Sequence, residues 1–238
     1  MSRPVALVTG CSRGIGQAIA RRLLAEEFQV LGTATRPEAA ASMPAGVEFV
    51  AVDFSDPASL EKFCGWLRER PRLDACINNA GINRIKPIEE VTPEDYREVM
   101  AVDLDAPYAI CRAAASVMTR AGTGRIVNVA SIWSVVTKAH RSLYSTAKAG
   151  LAGLTRALAA ELGPAGILVN TVSPGFVETD LTRRSLSEAE MEALRRQIPC
   201  RRLAQPEEIA ELVAFLSGPR NSYLTGQNIV MDGGFTIV

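Results

Sequence analysis

The stretch Val5-Ala6-Leu7-Val8-Thr9-Gly10-Cys11-Ser12-Arg13-Gly14-Ile15-Gly16 places an apolar run directly before a turn with three glycines. The run predicts a parallel strand covered on both faces, followed by a helix over residues 15–26. Glycine permits positive φ and lets a pyrophosphate approach the backbone, and the free N–H groups and dipole of the helix then hold the anion. The Gly-x3-Gly-x-Gly spacing differs from the broader GxGxxG fingerprint of dinucleotide-binding proteins. The interpretation as a phosphate-binding turn therefore depends on the strand before the turn and the helix after it. The predicted dinucleotide contacts are Gly10, Ser12, Arg13, Gly14, Ile15 and Gly16.

Short apolar strands alternate with amphipathic helices along the rest of the chain. The predicted strands are residues 5–9, 29–34, 47–52, 75–78, 125–130, 168–172 and 228–231, and the predicted helices are residues 15–26, 57–68, 93–118, 144–162 and 206–216. Repeated βαβ units predict an α/β fold: a single doubly wound Rossmann-type parallel sheet of about seven strands with helices on both faces. We expect one domain over residues 1–238. The charged segment 181–196 is either a mobile helical lid or a solvated surface helix.

Composition excludes several functional classes. The 238 residues carry 26 basic and 26 acidic side chains, and no basic tract favours nucleic acid. No apolar run approaches the roughly 18 residues of a membrane helix, and the first apolar run is too short for a secretory signal. The five cysteines form no CxxC pair, which is typical of reduced thiols rather than disulfides or a metal site. The sequence therefore predicts a cytoplasmic protein without a metal.

The region after the second strand determines the choice of dinucleotide. It reads Gly32-Thr33-Ala34-Thr35-Arg36-Pro37 and lacks the acidic residue that would bind a ribose diol. An acid would repel a 2′-phosphate, whereas the guanidinium groups of Arg36 and Arg13 bind one well. We therefore expect NADPH rather than NADH, with Thr35 and Arg36 among the cofactor contacts. The alternative is that Arg36 is an ordinary loop arginine.

Tyr144 and Lys148 lie four residues apart in Tyr144-Ser145-Thr146-Ala147-Lys148, inside a predicted helix. Residues at this spacing share a helix face, so the phenol and the ammonium are expected side by side. A cation about 4 Å away favours a phenolate by about 4 kcal/mol at an effective dielectric near 20. The pair is thus a candidate for general acid–base chemistry. By itself the spacing also fits a surface tyrosine packed on a lysine stem.

Five motifs in order carry a resemblance to a known family. They are the turn at residues 9–16, Asn78-Asn79-Ala80-Gly81 after the fourth strand, Ser131 after the fifth, Tyr144 with Lys148, and Ser173-Pro174-Gly175 after the sixth. On these motifs the whole chain resembles the short-chain dehydrogenase/reductase family, including its usual separation of thirteen residues between Ser131 and Tyr144. The closest similarity is to the 3-oxoacyl-(acyl-carrier-protein) reductases, a branch that uses NADPH. It rests on residues 32–35 and 174–180 and on Asp232-Gly233-Gly234.

The resemblance implies a role for each matching residue. Tyr144 would protonate a carbonyl oxygen as hydride arrives at the carbon, Lys148 would favour the phenolate and bind the nicotinamide ribose, and Ser131 would polarise the carbonyl. The implied cofactor contacts also include Tyr144, Asp53 at the adenine, Asn79, Ala80 and Gly81 under the ribose, and Pro174, Gly175, Val177 and Thr179 near the nicotinamide. Helix capping by Ser131 and loop capping by Asp53 are the structural alternatives.

One residue departs from the family pattern. The proton relay of the family usually includes an asparagine in a Val-Asn-Leu setting, and this chain has Val102-Asp103-Leu104. A carboxylate near Lys148 would stabilise the ammonium, so we count Asp103 among the catalytic residues and expect a shifted pH–rate profile.

Position along the chain suggests the substrate contacts. Trp133 follows Ser131 by two residues, His140 precedes Tyr144 by four, and Phe176 follows the sixth strand. Trp133 either contacts substrate or packs in the core. His140, the only histidine, either contacts substrate or is an exposed loop residue.

The leading functional interpretation is an NADPH-dependent carbonyl reductase acting on a 3-oxoacyl thioester. Carrier-protein reductases tend to have basic residues beside the active-site mouth; two such places hold Gly122 and Ala165, although Arg120 and Arg141 lie near. An acyl carrier protein is therefore one possible partner. The alternatives are an alcohol, polyol or sugar dehydrogenase, and a regulator that binds the dinucleotide without catalysis. The resemblance also implies a homotetramer or homodimer.

Overall fold

A computed structural model describes residues 3–185 and 187–238, which form one parallel sheet covered by helices. The strands are β1 (Val5–Val8), β2 (Gln29–Ala34), β3 (Val47–Ala51), β4 (Ala75–Asn78), β5 (Gly124–Val129), β6 (Ile167–Pro174) and β7 (Asn228–Met231). Their order in the sheet is β3-β2-β1-β4-β5-β6-β7, and every neighbouring pair is parallel. The predicted fold class is confirmed.

Helices cover both faces of the sheet because successive strand residues point to opposite sides. The helices are α1 (Gly14–Ala25), α2 (Pro57–Arg68), α3 (Pro93–Met100), α4 (Ala106–Ala121), α5 (Ser142–Leu162), α6 (Asp180–Ser185), α7 (Glu188–Gln197) and α8 (Pro206–Ser217). Ala6 and Val8 pack in the core beneath α1 and α8, whereas Leu7 packs in the core beneath α2 and α4. The central strands β1, β4, β5 and β6 are therefore buried on both faces, as their continuous apolar sequences predict.

The prediction of one continuous helix over residues 93–118 is wrong at residues 101–105. Between α3 and α4 the chain forms a π turn, Ala101–Asp105. Pro107 lacks the N–H that an α-helix would direct to the carbonyl of Asp103, so the wider turn appears where the α-helical ladder fails. The interruption places Asp103, which is fully buried, at the centre of the turn.

The charged segment 181–196 contributes to α6 and α7, and residue 186 lies outside the described residues. Helix α7 begins at a capping box of Ser187 and Glu190 and buries Met191 against Ile198 and Leu203. Its interpretation as a mobile lid stays a prediction. None of the helices in the described part of the chain has the length and apolar character needed to span a membrane.

A buried polar network fixes α5 on the sheet. The Asn78 amide donates to Asn128 Oδ1 at 2.8 Å, and the Asn128 amide donates to Thr155 Oγ1 at 2.8 Å. The Thr171 hydroxyl donates to the same Thr155 oxygen at 2.7 Å. These bonds join β4, β5 and β6 to one point of α5. Sliding α5 along the sheet would leave buried donors and acceptors unpaired, so the network sets the position of the helix.

Candidate active site

The carboxyl ends of the central strands meet at one edge of the sheet, where parallel α/β folds bind ligands. The turn after β1 lies there against the segment after β4, because a Cβ on Gly10 would lie 2.9 Å from Ala80 Cα. The loop after β6 reaches the same place: a Cβ on Gly14 would lie 3.5 Å from the Thr179 methyl carbon. The predicted cofactor residues of these three segments are therefore brought together.

Hydrogen bonds lock the glycine-rich turn to the end of β4. Thr9 Oγ1 accepts from the backbone N–H groups of Asn79 and Ala80 at 2.9 and 3.0 Å. The Asn79 amide donates in return to the carbonyls of Thr9 at 2.9 Å and Gly10 at 3.1 Å. Gly10 and Gly14 have φ of 65° and 56°, which disfavour other residues. Asn79 thus shapes the phosphate turn, a role beyond its predicted contact with the ribose.

Thr33 supports the same turn from β2, and sequence reasoning missed it. Its hydroxyl accepts from the Gly10 N–H at 3.3 Å, and its carbonyl accepts from the Cys11 N–H at 3.0 Å. Burial raises the pKa of the Cys11 thiol to about 11, while hydrogen bonds to the backbone lower it less. Cys11 therefore stays a protonated, unreactive thiol at neutral pH. The buried threonine inside an apolar strand was the available signal for this contact.

The predicted selectivity residues lie at the surface beyond β2. Arg13, Thr35 and Arg36 are exposed. Arg36 immediately precedes the short helix Pro37–Ser42. Within residues 3–185 and 187–238, neither the Arg13 nor the Arg36 side chain has a carboxylate within 4.0 Å. Two solvent-facing guanidinium groups beside the turn fit an added phosphate on the adenosine ribose.

Asp53 has a structural task at the end of β3. Its Oδ1 accepts from the Ser55 N–H at 2.9 Å and from the Ser55 hydroxyl at 2.7 Å. Its own N–H donates to Ser59 Oγ at 3.1 Å. These bonds hold the loop, in agreement with the capping alternative, and the adenine contact stays a prediction.

Tyr144 and Lys148 emerge from the first turns of α5 on one side of the helix. The Lys148 ammonium lies 5.3 Å from the centroid of the Tyr144 ring and donates to the Val129 carbonyl at 3.3 Å. Ser131, at the end of β5, is also buried, and its Oγ accepts from the Trp133 N–H at 3.3 Å. Ser131 is therefore a cap of the turn Ile132–Ser134, as its structural alternative predicted, with its hydroxyl hydrogen still available to a ligand.

Asp103 forms a buried ion pair with Lys148. Asp103 Oδ2 lies 3.1 Å from Lys148 Nζ, with side-chain exposures of 0% and 3%. Asp103 Oδ1 accepts from the Ile82 N–H at 2.7 Å. Burial opposes the charge of Lys148, but Asp103 and Tyr144 outweigh it, and the pKa of Lys148 is raised above its usual value. Gly81 completes the contact, because a Cβ there would lie 3.1 Å from Asp103 Oδ2 and 3.3 Å from Lys148 Nζ.

The predicted substrate residues fall into two groups. Trp133 is buried and lies edge-on to Phe176, with ring centroids 6.3 Å apart. Phe176 in turn lies edge-on to Phe235 at 5.1 Å, an aromatic partner that sequence reasoning missed. His140 is exposed on the loop before α5, with φ of 66°. Trp133, Phe176 and Phe235 thus form an aromatic cluster near Ser131. His140 is an exposed loop residue, as the alternative interpretation predicted.

A strand-turn-helix phosphate cradle beside a Ser131, Tyr144 and Lys148 group defines a dinucleotide-dependent oxidoreductase. Comparison with known proteins supports this class. The family model described as Enoyl-(Acyl carrier protein) reductase matches residues 10–236. The chain belongs to the short-chain dehydrogenase/reductase family and is an NAD(P)-dependent enzyme of that family.

Individual relatives match the chain over nearly its full length. The 3-oxoacyl-(acyl-carrier-protein) reductase FabG of Pseudomonas aeruginosa is 42% identical, covering 97% of this chain and 96% of its own. FabG of Salmonella typhimurium is 36% identical, covering 98% of both chains. The solved gluconate 5-dehydrogenase of Burkholderia cenocepacia, in complex with NADP and tartrate, is 28% identical with a TM-score of 0.92, covering 100% of this chain and 97% of its own.

Replacing Gly16 by alanine is expected to disrupt the phosphate turn. A Cβ at Gly16 would collide with the Gly10 carbonyl and the Asn79 amide, both of which are held by hydrogen bonds. We expect at least about a hundredfold weaker dinucleotide binding by isothermal titration, since the anion-binding N–H groups move.

The matched control is Gly153→Ala, within α5. A Cβ there meets only the flexible end of Arg156 at 3.9 Å. This variant is expected to bind dinucleotide normally and to gain about 0.5–1 kcal/mol of stability from helix propensity. Normal binding by Gly16→Ala would show that the turn does not hold the phosphates.

Proposed function

We propose that the protein is an NADPH-dependent carbonyl reductase whose substrate is a 3-oxoacyl thioester. The observation that carries the proposal is the placement of Tyr144, Lys148 and Ser131 beside the glycine-rich turn. The naming of the FabG relatives as 3-oxoacyl-(acyl-carrier-protein) reductases supports the substrate class. When bound, the dinucleotide supplies the hydride.

The side chains of this chain handle the proton and the developing charge. The Ser131 hydroxyl donates to the carbonyl oxygen and stabilises negative charge there. The Tyr144 hydroxyl delivers a proton to the same oxygen, and the Lys148 ammonium stabilises the phenolate that is left. Lys148 is held for this task by the Val129 carbonyl and by Asp103.

Removing the Tyr144 hydroxyl is expected to abolish turnover. With acetoacetyl-CoA and NADPH, Tyr144→Phe should lower kcat at least about a thousandfold, because no other group delivers the proton. Dinucleotide affinity should stay within about threefold. Tyr96→Phe, at a 50% exposed position of α3, is the matched control and is expected to keep wild-type kcat.

Undiminished turnover by Tyr144→Phe would refute the assignment of the acid. Binding of NADPH by the wild-type protein without turnover of any carbonyl in a broad panel would instead favour the non-catalytic regulator.

The choice of NADPH rests on Arg13 and Arg36. Both guanidinium groups are exposed near the end of β2, where an acidic residue for the ribose diol is missing. The complex of the gluconate 5-dehydrogenase relative with NADP supports the same choice. The two arginines would hold the 2′-phosphate by charge-assisted hydrogen bonds.

Isothermal titration with both cofactors checks this choice. We expect NADPH to bind at least about tenfold more tightly than NADH, and Arg36→Gln to remove most of the difference by weakening NADPH alone. Arg21→Gln, on the exposed side of α1, is the matched control. Tighter binding of NADH would overturn the proposal.

Asp103 tunes the proton step through Lys148. The carboxylate partly neutralises the field of the ammonium at Tyr144, and it raises the pKa of Lys148. Without it, the buried Lys148 ammonium loses its proton at lower pH. This change weakens the reducing enzyme on the alkaline side, because proton transfer from Tyr144 needs a charged Lys148 beside it.

The pH–rate profile of Asp103→Asn tests this role. The alkaline limb of kcat for ketone reduction is expected to move to lower pH by about one unit. Asp105→Asn, in the same π turn, is the matched control and should leave the limb in place. An unchanged profile in Asp103→Asn would deny Asp103 a special electrostatic role.

A second candidate function is a sugar, polyol or other alcohol dehydrogenase. It is favoured by the gluconate 5-dehydrogenase relative, whose structure overlays nearly the whole chain. The acyl carrier protein is the weaker part of the leading proposal, because Gly122 and Ala165 stand where basic residues would meet it. The nearby Arg120 donates hydrogen bonds to the backbone carbonyls of Arg68 and Arg70, at 3.0 and 3.4 Å, so its guanidinium is already engaged within the chain.

We further propose a homotetramer or homodimer in the cytoplasm. A cleft of about 570 Å³ runs between α4 and α5, and Tyr108 on its rim is 58% exposed. Leu154, Leu158 and Leu162 line part of this cleft beside the exposed aromatic ring, and such an apolar surface favours burial against a second copy. The cysteines are all free thiols, in agreement with a reducing compartment.

A further inference from the structure

Two positive side chains converge on Trp133 at the mouth of the active site. The Arg141 guanidinium lies 5.3 Å from the centroid of the Trp133 ring, and the Lys138 ammonium lies 5.8 Å from it. Trp133 is itself held beside Ser131, because its backbone N–H donates a hydrogen bond to Ser131 Oγ. We call Lys138, Arg141 and Trp133 the Trp133 cation cluster.

The two charges of this cluster lack a counter-ion among residues 3–185 and 187–238. No carboxylate lies within 4.0 Å of Lys138 or Arg141 in the part of the chain that the structure describes. Arg141 Nε is buried without a hydrogen-bond acceptor among those residues. A buried donor that lacks an acceptor is unfavourable, and an anion that supplies one would remove the penalty.

Burial also lowers the pKa of Arg141, opposed by the charge of Tyr144. Independently of this shift, Arg141 immediately precedes α5 and lies three positions before Tyr144, a spacing at which side chains are neighbours on a helix surface. A group bound by Arg141 would lie near the carbonyl that Tyr144 and Ser131 act on.

A cavity of about 440 Å³ lies against Trp133 and Lys138. Val136, Phe235 and Val238 supply its apolar lining, and Thr137, Gln197 and Thr236 supply its polar lining. Helix α5 begins directly after Arg141, with no side-chain cap and no acidic residue in its first turn. Its free N–H groups add positive potential beside the guanidinium.

We propose that Arg141, assisted by Lys138, forms a subsite for an anionic group of the substrate. The anion is a carboxylate or a phosphate, bound while the ketone of the same molecule lies at Ser131 and Tyr144. The inference rests on the proposed reductase function and narrows its substrate class to ketones that carry an anion. A planar guanidinium binds either group through two parallel hydrogen bonds, and the indole face holds it in place.

Matched substrate pairs test the subsite. Dihydroxyacetone phosphate and dihydroxyacetone differ in a phosphate, and levulinate and methyl levulinate differ in a carboxylate. Arg141→Gln is expected to lower the ratio of kcat/KM for the charged over the uncharged member at least about tenfold in one pair. The responding pair identifies the anion as phosphate or carboxylate.

Two further variants complete the comparison. Arg141→Lys should keep part of the preference for the charged substrate. The positive charge stays, whereas the two parallel N–H donors of the guanidinium are lost. Arg156→Gln, exposed further along α5, should keep both kcat/KM values within about twofold.

The outcomes separate the subsite from the proposed reaction. Equal losses for both members of each pair, or no loss in either, would overturn the subsite. A response of the levulinate pair alone, without reduction of any thioester, would keep the subsite and refute the thioester substrate.

A binding measurement gives the same comparison without turnover. Isothermal titration of the NADP-saturated protein with tartrate, a small dicarboxylate, should show binding that Arg141→Gln weakens at least about fivefold. Equal affinities, or no binding by the wild-type protein, would count against the carboxylate form of the subsite.

Discussion

The buried ammonium of Lys148 is the constraint on which the site depends. A charge removed from water costs on the order of several kcal/mol unless it is paired and hydrogen-bonded. This ammonium, 3% exposed, has the Asp103 carboxylate at 3.1 Å and the Val129 carbonyl at 3.3 Å. The pair requires the π turn, which brings Asp103 inward, and it requires Gly81, because a side chain at that position would crowd both charged groups.

The position of α5 decides where Tyr144 and Lys148 lie relative to the glycine-rich turn. Thr155 lies seven residues after Lys148, close to two turns of helix, so the two residues share the face that packs on the sheet. Hydrogen bonds from Asn128 and Thr171 to Thr155 therefore fix Lys148 and Tyr144 in register with β5 and Ser131. A buried polar network thus contributes to the placement of the proposed catalytic residues.

The charge distribution around the site separates two tasks. On the inner side, Asp103 compensates Lys148, so that position carries little net charge. On the outer side, Lys138 and Arg141 stay without a counter-ion among the described residues and flank the indole of Trp133. The inner pair is the one to which we assign the proton step, whereas the outer cations form the proposed anion subsite.

The sequence by itself determined the doubly wound sheet, the phosphate turn and the candidates Ser131, Tyr144 and Lys148. Those features follow from local patterns: apolar strands, a glycine spacing and a four-residue helix repeat. Only the tertiary structure decided that the helix over residues 93–118 breaks at Asp103, that Thr33 supports the turn, and that Phe235 joins Phe176. These are contacts between residues distant in the chain, or results of one missing N–H within a helical pattern. A linear pattern carries no distance between such groups, whereas packing of the strands and helices imposes it.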